Sequence, residues 1–311
     1  MPPVGRPLAA ALAALALAAC AATPQTEALL ADRGTLPASA EVEGVPFVPQ
    51  EELWCGPAAM AMALSWSGLP TTQEQAAAQV YTPGREGTLA VDMTTAARRN
   101  GRLAVEIGTV QDLLAEIAAG HPVVVFQNLA LEIYPQWHYA VAFGYDLEQG
   151  TILLHSGLDK RRETKLGTFE LTWGRADNWA LVVLPPDRLP ATVPEERVAA
   201  AAAAIERAGR ADAAAISYRA ILRRWPGNAT ALVGLGNLAY ARGDLDQAAE
   251  HYRRATEAAP RLGAAWNNLA VALSEQGERD AALDAVRRAI ATGEGDQEEF
   301  RRTLAEIEAA P

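Results

Sequence analysis

The sequence predicts an α+β domain over residues 45–186, followed by an all-α repeat domain over residues 195–310. Three observations lead there. Helix signals dominate residues 71–119, strand signals dominate residues 122–185, and this segregation is expected of α+β folds. Beyond the Pro-rich stretch "PPDRLPATVP" the chain becomes Ala-rich and helical, with a period of about 34 residues. Residues 187–194 therefore read as a linker.

The N-terminus comes first in order. Arg6 forms a short positive region, and Leu8–Ala19 is apolar but too short for a membrane-spanning helix. Residues 1–19 read as a secretory signal. They end in Leu17-Ala18-Ala19-Cys20, which resembles the lipobox of bacterial lipoproteins. That resemblance implies cleavage before Cys20 and acylation of its thiol. Ala21 in place of Asp implies the outer membrane, facing the periplasm. Residues 20–44 are small, polar and poor in periodicity, and read as a tether. A formal net charge of −11 argues against nucleic acid and against a polybasic membrane patch.

Within the first domain, Thr71 and Glu74 form a Thr-x-x-Glu capping box. Thr88–Asn100 is helix-like and stops at Gly101. Thr109–Ala119 opens as Thr-x-x-Asp and stops at Gly120. The segments "PVVVFQN", "HYAVAFGYD", "TILLHS", "GTFELTW" and "NWALVVLP" read as strands.

The chemistry centres on Cys55, since acylation of Cys20 would leave it without a disulfide partner. Cys55-Gly56-Pro57 opens "AAMAMALSW", and Pro57 belongs in a first helical turn. The helix is expected to be buried and to aim its free amides at the sulfur, lowering the thiol pKa. A nucleophilic thiol needs a base. Of four histidines, His251 lies in the repeats and His121 in a Gly-His-Pro turn. His138 opens the strand "HYAVAFGYD" and is the candidate base. The next strand pairs back across "YDLEQG" and brings His155, Ser156 and Asp159 alongside as candidates to orient the imidazole. No metal or other cofactor is called for.

"PFVPQEELWCGPAAMAMAL" together with "HYAVAFGYD" resembles the bacteriocin-processing (double-glycine leader) cysteine peptidases and their stand-alone relatives. The resemblance implies a papain-like fold, with Gln50 in the oxyanion hole, Cys55 as nucleophile and His138 as base. The family usually places an Asp where this chain has His155-Ser156, so either His155 orients the imidazole weakly, Asp159 substitutes, or the chain works with a Cys–His dyad.

In the second domain, frames from Glu195, Ala229 and Gly263 place small residues at matching positions: Ala202 and Ala214, Gly236 and Ala248, Ala270 and Ala282. Large residues follow at Tyr218, Tyr252 and Val286, and Pro226 and Pro260 close the first two frames. This resembles the tetratricopeptide repeat, with Glu298–Ala309 as a capping helix. A groove lined by Asn237, Tyr240, Asn267 and Asn268 is expected to hold a protein partner.

The combined expectation is a lipid-anchored periplasmic cysteine peptidase acting on a peptide or protein substrate. The competing expectations are a thiol amidase or acyltransferase acting on the cell wall, and a non-catalytic peptide-binding scaffold.

Overall fold

The structure is a computed structural model that describes residues 23–50 and 53–309. The signal segment and Cys20 lie outside the described residues. The described residues form two compact units, residues 23–50 and 53–96 with 106–183, and residues 97–105 with 184–309.

The first unit is built on a mostly antiparallel sheet. Its strands are β1 (Ser39–Glu41), β5 (Val123–Asn128), β6 (Trp137–Asp146), β7 (Thr151–Ser156), β8 (Asp159–Lys165) and β9 (Ala180–Leu184). They run in the order β9-β5-β6-β7-β8, and β1 pairs with β6 beyond the end of β5. β5 and β9 are buried almost throughout because both sheet faces are covered, which explains their continuous Val and Leu runs. A short pair, β2 (Tyr81–Thr82) and β3 (Gly87–Thr88), stands apart. The helices are α1 (Pro24–Ala31), α2 (Cys55–Trp66), α3 (Gln73–Val80), α4 (Ala90–Arg99), α5 (Val110–Ala118) and α6 (Leu166–Gly174).

Several local expectations need correction. Residues 23–44 are not a tether. α1 presents its first amides to Glu170, whose carboxylate accepts from Gln25 N at 3.0 Å and Thr26 N at 2.7 Å. β1 then joins the sheet, so tertiary partners supply the order that the local sequence lacks. The capping box sits one residue later, at Thr72 and Gln75, because Thr71 is held by Ser65 and Leu69. "GTFELTW" is helix α6, not a strand. It buries Leu166, Phe169, Glu170 and Trp173 at helical spacing, which overrides its β-prone residues. β4 (Leu103–Ile107) follows Gly101 where helix signals had dominated. β8 reads "DKRRETK" and is exposed almost throughout. As the outer strand of its side of the sheet, its charges suit an edge that must not pair with another chain.

In the second unit the repeat frames begin on helix starts. The helices are α7 (Glu195–Arg207), α8 (Ala211–Arg224), α9 (Ala229–Tyr240), α10 (Leu245–Ala258), α11 (Gly263–Glu275), α12 (Arg279–Ala291) and the final α13 (Gln297–Ala309). The small residues of the frames let paired helices touch. A Cβ on Gly236 would lie 2.4 Å from the Tyr252 ring, and one on Gly234 2.3 Å from Tyr218. The Tyr late in each of the first two frames therefore fills the space that a glycine of α9 opens.

Glu170 is one side chain that ties α1 to the fold, beside Gln25, whose Oε1 accepts from Val110 N at 2.9 Å. Glu170→Ala should cost about 1–3 kcal/mol, read as a lower urea midpoint. An unchanged midpoint would mean that the cap contributes nothing to stability.

Candidate active site

Cys55 is the first residue of α2, and Gly56 to Leu64 behind it are all buried. The cysteine is free and partly exposed. The residue after it must be small. A Cβ on Gly56 would fall 2.3 Å from Thr88 Oγ1 and 2.5 Å from Thr88 Cβ. β3 thus crosses directly over the start of the helix, and Leu53 enters it with a left-handed φ of 65°.

The sulfur is placed by β6. β5 pairs with β6 through Trp137, whereas the register of β7 on β6 runs only to Val141↔His155. Tyr139 therefore lies beyond the last β7 partner. Its carbonyl accepts from Gln50 Nε2 at 3.2 Å, and its N–H is directed at the Cys55 sulfur. Gln50 N donates to the Gly157 carbonyl at 3.2 Å, so the segment before Cys55 continues where β7 stops. The Tyr139 hydroxyl donates to the Thr88 carbonyl at 3.3 Å. One residue binds the helix start, the glutamine and β3. Sequence reasoning missed Tyr139 because its role depends on where a neighbouring strand ends.

His138 precedes Tyr139, and its Nε2 lies 2.9 Å from Ser156 Oγ. Strand parity explains that partner. With Val141 opposite His155, Ala140 falls opposite Ser156, and His138 shares the face of Ala140. His155 points to the other face. There its Nδ1 meets the Lys160 carbonyl, its Nε2 lies 3.3 Å from the Val45 carbonyl, and Phe143 packs 4.2 Å from its ring. His155 is thus corrected from imidazole partner to a buried, backbone-bonded residue. Asp159 is exposed at the start of β8 and pairs with Ser156 in register. The hydrogen bond of His138 runs to Ser156, not to Asp159.

The electrostatics also revise an expectation. The Tyr139, Gly56 and Cys55 amides all favour the thiolate, but burial outweighs them and pushes the Cys55 thiol up. Burial, with a smaller contribution from the Arg162 charge, pulls His138 down to about 4. At neutral pH both groups rest uncharged. His155 is likewise lowered, chiefly by burial.

Cys55 opens on a cleft of about 570 Å³. Leu53, Leu89, Phe126, Trp137 and Tyr139 make its walls apolar, and Arg85 and Glu86 add the charges. Phe126 stacks on Tyr139 at 4.4 Å and on Trp137 at 5.3 Å, giving a rigid aromatic wall.

Residues 42–181 match the Peptidase C39-like family. The first domain is a C39-like peptidase domain. Gln50, Cys55 and His138 all fall within the matched segment of this C39-like domain. Residues 201–263 and 233–297 match the tetratricopeptide repeat. The helical region after the sheet is a repeat region of that kind. No curated protein matches the chain. Among solved structures, a C39-like peptidase from Bacillus anthracis is 17% identical, with a TM-score of 0.41, over 48% of this chain and 98% of that one. The peptidase domain of Streptococcus ComA, a bifunctional ABC transporter of a quorum-sensing pathway, is 20% identical, with a TM-score of 0.38, over 45% and 98%. The tetratricopeptide-repeat domain of Sgt2 from Aspergillus fumigatus is 23% identical, with a TM-score of 0.35, over 38% and 80%.

In the repeat region, Asn237, Tyr240, Asn267 and Asn268 do line one groove, of about 390 Å³. Asn237 Oδ1 accepts from the Tyr252 hydroxyl at 2.9 Å and from Asn268 Nδ2 at 3.2 Å. The Tyr240 hydroxyl donates to Glu275. The final helix adds Glu299, Arg302 and Glu306, which the sequence reading had not included.

The contact at Gly56 generates a direct check. Gly56→Ala should destabilise the first domain by about 1–3 kcal/mol, measured by thermal unfolding, because β3 must move off the helix. Unchanged stability would contradict the close approach.

Proposed function

We propose that the chain is a cysteine peptidase in which Cys55 attacks a peptide carbonyl, with His138 as base and the repeats recruiting a protein substrate. One observation carries this reading. Cys55 and Gln50 are docked side by side on the backbone of Tyr139, the residue next to His138.

The uncharged resting pair sets the sequence of events. The thiol keeps its proton until a substrate carbonyl arrives, and His138 takes it as sulfur attacks. Ser156 at Nε2 leaves Nδ1 of the imidazole for that proton. The developing oxyanion is held by the Cys55 amide and by the second N–H of the Gln50 side chain, whose first N–H is fixed on Tyr139. The imidazolium then protonates the leaving amine, and water hydrolyses the thioester. A serine supports the imidazole without a carboxylate's charge, so it orients the ring more than it stabilises the cation. His138 and Ser156 thus act as base and positioning residue.

The apolar aromatic cleft suits an extended peptide with bulky apolar side chains near the scissile bond. Holding the substrate on the repeats raises its local concentration at the peptidase domain. The lipobox-like Leu17-Ala18-Ala19-Cys20 supports anchoring in the outer membrane, facing the periplasm.

One comparison tests these proposals together. Protein N-termini are compared between cells carrying the wild-type chain, Cys55→Ala and Cys20→Ser, with membrane and soluble fractions separated. Termini present in the wild type and absent in Cys55→Ala are expected, together with release of Cys20→Ser from the membrane. Identical termini in the wild type and Cys55→Ala would sink the peptidase reading. Membrane retention of Cys20→Ser would sink the anchor.

A further inference from the structure

The groove of the repeat region carries a chemical preference, and this inference rests on reading the repeats as a recruiting surface. Asn267 on its wall is 3% exposed, and its Oδ1 has no hydrogen-bond partner. Buried polar atoms are nearly always answered. An acceptor left open beside a groove is therefore a place for an incoming donor. The neighbouring amides do not supply one. Asn268 directs Nδ2 to Asn237 Oδ1, which the Tyr252 hydroxyl also occupies.

The charges lining the same groove point the same way. α13 places Glu299 and Glu306 on it, with Arg302 between them. Two carboxylates against one guanidinium leave an excess of negative charge. Glu275, which accepts from the Tyr240 hydroxyl, adds to it. An acidic segment or a free C-terminal carboxylate would meet this field with the wrong sign. It would also bring acceptors to a wall that already holds an unanswered acceptor.

We propose that this groove binds a Lys or Arg side chain presented by an extended protein segment. The cationic head faces Glu299 and Glu306, and its N–H donors answer Asn267. The preference separates the protein clients of this chain by charge before any cleft contact at Cys55 is made.

The test uses the full chain carrying Cys55→Ala, so that probes are not cleaved. Fluorescein-labelled Gly-Ser peptides with a central Lys-Lys, Arg-Arg, Glu-Glu or Leu-Leu pair are titrated by fluorescence anisotropy. The Lys and Arg peptides should bind roughly tenfold tighter than the Glu peptide, and added salt should narrow the gap. Glu299→Gln combined with Glu306→Gln should abolish the difference. Asn267→Leu should weaken Lys binding and Asn267→Asp strengthen it. The exposed glutamates keep the test valid if Asn267→Leu fails to fold. No binding of the Lys and Arg peptides, or binding of the Glu peptide as tightly, overturns the proposal. Insensitivity to the double glutamate substitution does so too. Absence of any charge preference in the Cys55→Ala chain with its glutamates intact, while the wild type still shows Cys55-dependent cleavage, defeats this proposal alone. The reverse outcome defeats the peptidase reading alone.

Discussion

The site depends on the backbone of one residue, Tyr139, at the place where the β6–β7 ladder stops. Inside the sheet its carbonyl and amide would be consumed by a neighbouring strand. Past the β7 register they are open, and buried backbone groups must find partners. They find Gln50 and the Cys55 sulfur. The same ladder end brings Ser156 onto the face of His138. A strand that stops short thus creates both the dock for the Cys55 thiol and the support for His138.

Burial and oriented amides pull the thiol in opposite directions, and burial prevails. The mouth of a helix would favour a thiolate if the sulfur stayed in water. Here α2 is sunk into the sheet and β3 lies against Gly56, so the charged form loses its hydration. His138 suffers the same loss with no carboxylate to offset it, and Arg162 adds a like charge. A preformed ion pair would need compensation that Ser156 does not provide. The protein instead keeps both groups uncharged at rest.

Much of this was legible in the sequence. Cys55 stood at a helix start because Gly56-Pro57 cannot sit mid-helix, and His138 stood at the head of a strand. The repeat period put Asn237, Tyr240, Asn267 and Asn268 on the first helices of their repeats, because small residues recur where paired helices touch. The partner of His138 was not legible. A slip of one residue between β6 and β7 exchanges His155 for Ser156, and the bulge between Ala142 and Gly144 enters that register. The thiol shift was misjudged because the expected burial of the helix extends to its sulfur, where lost hydration outweighs the amides. Residues 23–44 looked like a tether because their order comes from Glu170 and β6, far along the chain. β8 escaped notice since an edge strand made of charges has no apolar alternation.

The most direct measurement is the rate of Cys55 alkylation by iodoacetamide as a function of pH, in the wild-type chain and in Ser156→Asp. With the thiol raised by burial and His138 lowered to about 4, the wild-type rate should climb steadily through neutral pH and beyond, without a plateau in weak acid. Ser156→Asp should introduce reactive thiolate at lower pH by supporting the imidazolium. A flat, fast wild-type rate from weakly acidic to neutral pH would reveal a preformed thiolate–imidazolium pair and contradict the neutral resting site.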